Sequence, residues 1–122
     1  MQYPTSIKTV VIGEERSAIQ TWIKRLESVG FSCEQWTPSS KTVRPESLDV
    51  AIFLPQAEAA RNEMAALLRS ARAGVKIIFL YDGTIRRTEL ADAVIHVNCG
   101  EDDILRTLRY VMHQQMSNEG EN

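Results

Sequence analysis

The stretch Leu48-Asp49-Val50-Ala51-Ile52-Phe53-Leu54-Pro55 constrains this chain more than any other, because the five consecutive apolar residues after Asp49 leave no side chain to face water. A strand of that kind is buried on both faces. Such strands belong to the middle of a parallel sheet, where crossover helices lie over each side. In open α/β sheets chemistry sits in the crevice beyond the carboxyl ends of the strands. Here that end is Leu54-Pro55, which supplies no acid, base, nucleophile or phosphate-binding glycine.

The flanking segments supply neighbours and cover. Ile7-Lys8-Thr9-Val10-Val11-Ile12-Gly13 reads as a second buried strand, ended by its glycine. A helix is predicted from about Glu15 to Val29, with Ala18, Ile19, Trp22, Ile23, Leu26 and Val29 on its buried face and Gly30 at its C-terminal cap; Gln20, Lys24, Arg25 and Glu27 form its outer face. Phe31 to Trp36 is short and polar in its middle, which suits an edge strand. Residues 37–47 carry two prolines and no helical period and read as a loop with at most one helical turn.

After the central strand, Ala57, Ala60, Met64, Leu67, Leu68 and Ala71 define the face of a helix from about Gln56 to Arg72. Val75 to Tyr81 is the next strand, and Asp82-Gly83 turns the chain into a short basic segment, Thr84 to Leu90, of at most about two helical turns. Ala93 to Val97 is the fifth strand. A last helix starts near Glu101-Asp102-Asp103, carboxylates suited to the positive end of its dipole, and buries Ile104, Leu105, Leu108, Val111 and Met112. Gln114 to Asn122 is polar and aperiodic and reads as a tail or the start of a linker.

With 122 residues the chain makes one domain, its core spanning about residues 7–113. A net charge of −2 gives no general attraction to nucleic acid or anionic lipid. The first residues lack the features of a signal peptide and no apolar run approaches the roughly 20 residues that span a bilayer, so a cytoplasmic protein is expected. Cys33 and Cys99 have no CxxC spacing and read as buried free thiols.

Each residue that could carry chemistry has a plainer reading. Glu14, Glu15 and Asp82 could meet at the carboxyl edge and hold a divalent cation, yet two carboxylates at a helix start complement its dipole and Asp82-Gly83 is an ordinary turn. His96 and Cys99 lack further zinc ligands at usable spacing, since Cys33 and His113 are far away in the chain. Neither cysteine shows the histidine and orienting acid that a nucleophile needs. Gly13 is the lone glycine after the first strand, so there is no GxGxxG phosphate cradle. Arg86, Arg87, Arg106 and Arg109 could form a basic patch and read more simply as a solvated face. No metal and no cofactor is expected.

The order strand, helix, edge strand, buried strand, helix, strand, short helix, strand, helix resembles the receiver domain of two-component response regulators over roughly residues 7–113. The best local match is Val10 to Glu15 through Leu26 to Phe31. The resemblance implies an α/β, flavodoxin-like three-layer fold: a five-stranded parallel sheet of order 2-1-3-4-5, here with shortened second and fourth helices. Receivers are phosphorylated on a strand-end aspartate with Mg²⁺ held by carboxylates. Position by position, the acidic pair falls on Gly13 and Glu14, the phosphoryl acceptor on Leu54, the hydroxyl residue after the fourth strand on Tyr81, and the lysine after the fifth on Val97, with Asn98 in place of its proline.

The resemblance therefore implies a pseudo-receiver: not an enzyme, but a protein-interaction or dimerisation module, the regulatory domain of a transcriptional regulator or other multidomain signalling protein. Its partner would be a protein, an attached output domain or a second copy. Arg86, Arg87, Glu89, Asp92, Arg106, Arg109 and Tyr110 would line the dimerisation face that receivers use. The alternative is a regulatory domain that binds a small molecule or nucleotide at the carboxyl edge of the sheet.

Overall fold

Four consecutive side chains of the central stretch, Val50 to Phe53, are buried, and their backbone is paired on both sides. In the computed structural model, which describes residues 8–36, 48–55, 58–71, 74–83 and 90–120, this strand is β3. It lies in a sheet with β1 (Thr9–Ile12), β2 (Cys33–Trp36), β4 (Lys76–Tyr81) and β5 (Ala93–His96). All neighbours are parallel and the order is β2-β1-β3-β4-β5. Three helices are described: α1 (Arg16–Ser28), α2 (Glu58–Ala71) and α3 (Glu101–Gly120). The expected fold class and strand order are thus those of the structure.

The two-residue period of the strands divides the core. Val11, Val50, Ile52, Ile78, Leu80 and Ile95 point to one face, where α1 contributes Ile19, Trp22, Ile23 and Leu26 and α3 contributes Ile104, Leu108 and Val111. Val10, Ile12, Ala51, Phe53, Ile77 and Phe79 point to the other, where α2 brings Ala65 and Leu68. The edges of Phe53 and Phe79 meet at right angles, with ring centroids 5.5 Å apart, an arrangement the ring quadrupoles favour.

The end of α1 follows from Gly30. At φ 97° it adopts the left-handed conformation that glycine takes without steric cost. The Phe31 N–H then reaches the Leu26 carbonyl and the Gly30 N–H the Glu27 carbonyl, satisfying the last turn in a Schellman motif, while Leu26 and Phe31 share the core.

Several expectations need correction. On α2 the buried face is Arg61, Ala65 and Leu68, with Met64 beside it; Leu67 is 64% exposed and Ala71 is exposed. Each helical residue turns about 100°, which carries Leu67 off the stripe that Arg61, Ala65 and Leu68 define. Arg61 fills a core position by laying its guanidinium 4.2 Å over the Phe79 ring. Leu105 lies half-buried at the margin, where full burial is expected from its spacing. The helical backbone of α3 continues through Gly120, into the stretch read as a polar tail; the apolar period stops at Met112, and period alone does not register a helix beyond its buried stripe. The loop expected over residues 37–47, the short segment after Gly83 and the side chains of Ala57, Ala60 and His113 lie outside the described residues. Among the described residues no helix is long and apolar enough to cross a membrane.

Candidate functional site at the carboxyl edge of the sheet

The carboxyl ends of β1, β3, β4 and β5 converge on a cleft of about 350 Å³. Ala18 and Trp22 of α1, with Leu54 and Val97, form its apolar wall, while Glu14, Glu15, Pro55 and Asp82 stand exposed around it. Glu14 and Glu15 reach this edge because β1 ends at Ile12 and α1 begins at Arg16; Asp82 reaches it as the first residue after β4. Among the described residues no three Asp, Glu, His or Cys side chains are grouped closely enough to hold a metal ion.

Leu54 continues the pairing of β3 by one residue, donating its N–H to the Ile12 carbonyl at 2.8 Å. Its side chain is buried against Gly13. A Cβ at position 13 would lie 2.6 Å from Leu54 Cδ1, 3.2 Å from Ile19 Cγ1 and 3.3 Å from Leu54 Cβ. Leu54 thus fills the space that a side chain on residue 13 would need. Tyr81 is half-buried with its ring edge-on to the His96 imidazole, centroids 5.0 Å apart. Of the five positions picked out by the resemblance, Glu14, Leu54 and Val97 line the cleft, Gly13 lies beneath it, and Tyr81 sits at its margin paired with His96.

The turn after β5 is held by several hydrogen bonds. The Val97 N–H donates to the Tyr81 carbonyl at 2.9 Å, the Cys99 N–H to the His96 carbonyl at 3.1 Å, and the Asn98 N–H to His96 Nδ1 at 3.0 Å. Arg25, assigned to the outer face of the first helix from its charge, in fact reaches this turn. Its Nε donates to Glu101 Oε1 at 2.9 Å, Nη1 to the Val97 carbonyl at 3.1 Å and Nη2 to the Cys99 carbonyl, and its guanidinium lies 4.3 Å over Trp22. The bond from Arg25, and then the backbone N–H of Glu101 itself, hold the Glu101 carboxyl below the usual carboxylate range. A sequence signal existed: Arg25 adjoins Leu26 and follows Trp22 by three residues, at the border of the buried stripe.

Neither thiol is set up as a nucleophile, because reactivity belongs to the thiolate. Burial, and then the charge of Glu27, push Cys33 up to about 12. Burial also raises Cys99, against the opposing charge and hydrogen bond of Arg25. Both are free cysteines, but each is only half-buried where full burial is expected from the sequence.

On the expected interaction face, Tyr110 is 55% exposed and Arg106 and Arg109 are exposed on α3, with Arg106 3.7 Å from Asp103 one turn back. Asp92 does not join them as a surface charge. Its carboxylate is half-buried, accepting the Ile77 N–H at 2.8 Å and Arg69 Nη2 at 3.0 Å, so it clasps α2 and β4 to the start of β5. A carboxylate before a strand looks like a solvated turn until its long-range partners are known. Arg86, Arg87 and Glu89 lie outside the described residues.

No protein-family model matches the sequence, and no curated protein matches it either. Solved structures do match its fold. A protein named as pilus assembly-related from Burkholderia pseudomallei K96243 superposes with a TM-score of 0.74 at 12% identity, over 93% of this chain and 95% of that one. A response regulator receiver modulated diguanylate cyclase from Pelobacter carbinolicus gives 0.67 at 15% identity, over 93% and 98%. A CheY-like protein, TadZ, from Pseudomonas aeruginosa PAO1 gives 0.61 at 14% identity, over 86% and 98%. With its parallel sheet of order 2-1-3-4-5 and helices on both faces, the chain has the flavodoxin-like fold of response-regulator receivers.

Proposed function

We propose that this domain is a receiver that works without phosphorylation, a cytoplasmic, non-enzymatic module that binds a protein partner, an attached output domain or a second copy of itself. One observation carries the reading: Leu54, at the strand end where a receiver places its phosphoryl acceptor, has no oxygen to phosphorylate, and its side chain packs into the room left by Gly13. The two positions answer each other. A side chain at 13 would have to displace Leu54 from the space it fills.

The setting we propose is a multidomain signalling or assembly protein. Transcriptional regulation is one such setting; the assembly of a pilus is another, supported by the name of the Burkholderia structure. A nucleotide is a poorer occupant of the cleft, because Glu14, Glu15 and Asp82 would repel its phosphates.

Acetyl phosphate, or beryllofluoride with Mg²⁺, should leave the intact mass and the amide spectrum of the protein unchanged, because the acceptor oxygen is missing and one carboxylate of the metal site is replaced by Gly13. An acid-labile phosphate on an aspartate near a strand end would overturn the reading. A specific rise in melting temperature with a nucleotide, which follows binding by mass action, would move the function to ligand binding.

A further inference from the structure

We infer that Arg25 is a latch that holds the turn between β5 and α3 in one conformation, so that the carboxyl edge is a preset face and not a switch. The inference draws its functional meaning from the phosphorylation-independent reading above and its geometry from separate residues.

Residues Val97 to Gly100 connect the last strand to the last helix, and Val97 is also a wall of the cleft. A short connection of this kind can move when its backbone groups have water as an equal alternative partner. Here they do not. The N–H groups of Val97, Asn98 and Cys99 are all bonded within the turn and to β4, and the carbonyl of Gly100 accepts from Asp103 and Ile104 as the first turn of α3. The carbonyls of Val97 and Cys99 are taken by the same guanidinium, which spans them with its two terminal nitrogens.

That guanidinium is itself fixed. It is planar, with donors in a rigid fork, it lies 4.3 Å over the Trp22 ring, and its Nε is bonded to Glu101 at the start of α3. Trp22 is buried in the core on α1. The latch therefore joins α1, the turn and α3 through one side chain, and any displacement of Val97 away from the cleft must break charge-assisted bonds, which are stronger than neutral ones. Lysine could not replace it, since a compact ammonium cannot span both carbonyls, reach Glu101 and stack on an indole at once.

The receiver resemblance puts a lysine at position 97. In this chain the cation comes from α1 instead and binds the carbonyls of the turn.

Native-state hydrogen exchange on the full chain tests this. In the wild type the Val97 and Cys99 amides should be as protected as those of Ile52 and Ile78 in the central strands. In Arg25→Ala they should exchange about tenfold faster or more relative to those strands, because a local opening has become accessible. Arg25→Lys should lie between the two, as should Glu101→Ala, which removes one anchor of the guanidinium and spares both carbonyl bonds. Fast exchange of the turn in the wild type would overturn the latch. So would an Arg25→Ala variant in which turn and strand amides accelerate alike, or in which neither does; should that variant not fold, the wild-type and Arg25→Lys measurements decide alone. Addition of beryllofluoride separates the two readings: an adduct removes the phosphorylation-independent function whatever the turn does, whereas an open turn without an adduct removes only the latch.

Discussion

A methyl group on Gly13 would stand 2.6 Å from Leu54 Cδ1, closer than carbon atoms approach without displacement. Space and not backbone conformation favours the glycine, since among the described residues the left-handed backbone belongs to Gly30. Gly13→Ala should destabilise the fold by about 1–3 kcal/mol, the usual cost of overpacking. In a Leu54→Ala background the same change should cost less, because the opposing atoms are gone. A double-mutant cycle in urea melts checks it, with a coupling of roughly 1 kcal/mol expected for side chains in direct contact. Additive costs would mean that Leu54 is not what excludes a side chain at 13. Cys33 gives a second test. Its folded-state value of about 12 stands above the ordinary 9.0 because the thiol is buried. Between those values the folded protein holds more protons than the unfolded chain, so stability falls as pH rises through that window and is unaffected below it. Wild type should lose more stability than Cys33→Ala between about pH 8 and 10.5, and equal losses would show that the thiol is solvated.

At the scale of elements, α2 separates what hydropathy can read from what it cannot. Leu68→Ala should cost roughly 2–5 kcal/mol, as a truncation in a packed core does. Leu67→Ala, one residue earlier and 64% exposed, should change stability by no more than about 0.5 kcal/mol. Comparable losses in thermal melts would rotate the helix back to the face that its apolar residues suggest. Periodicity places Leu67 on the buried face and passes over Arg61, whose long stem and planar guanidinium cover Phe79. The strands were legible because both faces of each central one are apolar. So was α1, whose stripe from Ile19 to Leu26 matches the buried one. The site was legible only by position. Gly13, Glu14, Leu54 and Val97 do converge, but the Leu54–Gly13 contact and the latch from Arg25 to Val97 and Cys99 join residues distant in the chain. No local pattern encodes such pairs. Asp92 and Arg69 belong to the same class, a clasp between α2 and β4 that charge alone reads as two solvated residues.

The whole molecule presents β5 as one edge of its sheet, and beside it α3 with Arg106, Arg109 and Tyr110 outward. Val94 on β5 is 39% exposed, which adds an apolar contact to a surface otherwise of mixed charge. With Asp92 drawn into the fold, one acidic partner for an arginine across a two-fold axis is the exposed Asp103, which already lies 3.7 Å from Arg106 of its own helix. An isologous interface must be complementary to itself, so Arg106 and Asp103 of one copy can meet Asp103 and Arg106 of the other by exchanging that contact. Exposed pairs of this kind contribute little affinity and are screened by salt. Tyr110 is then the anchor, since aromatic side chains carry most of the energy in small interfaces. The expected dimer is weak, dissociates further as salt is raised, and is weakened about tenfold by Tyr110→Ala. Arg109→Glu, which adds an acid to the same face in both copies, should change association mainly at low salt. Sedimentation of the three proteins at matched concentrations reads these effects directly. A dimer indifferent to both substitutions must form through another surface, and a chain that stays monomeric at high concentration leaves this face to a partner of different sequence.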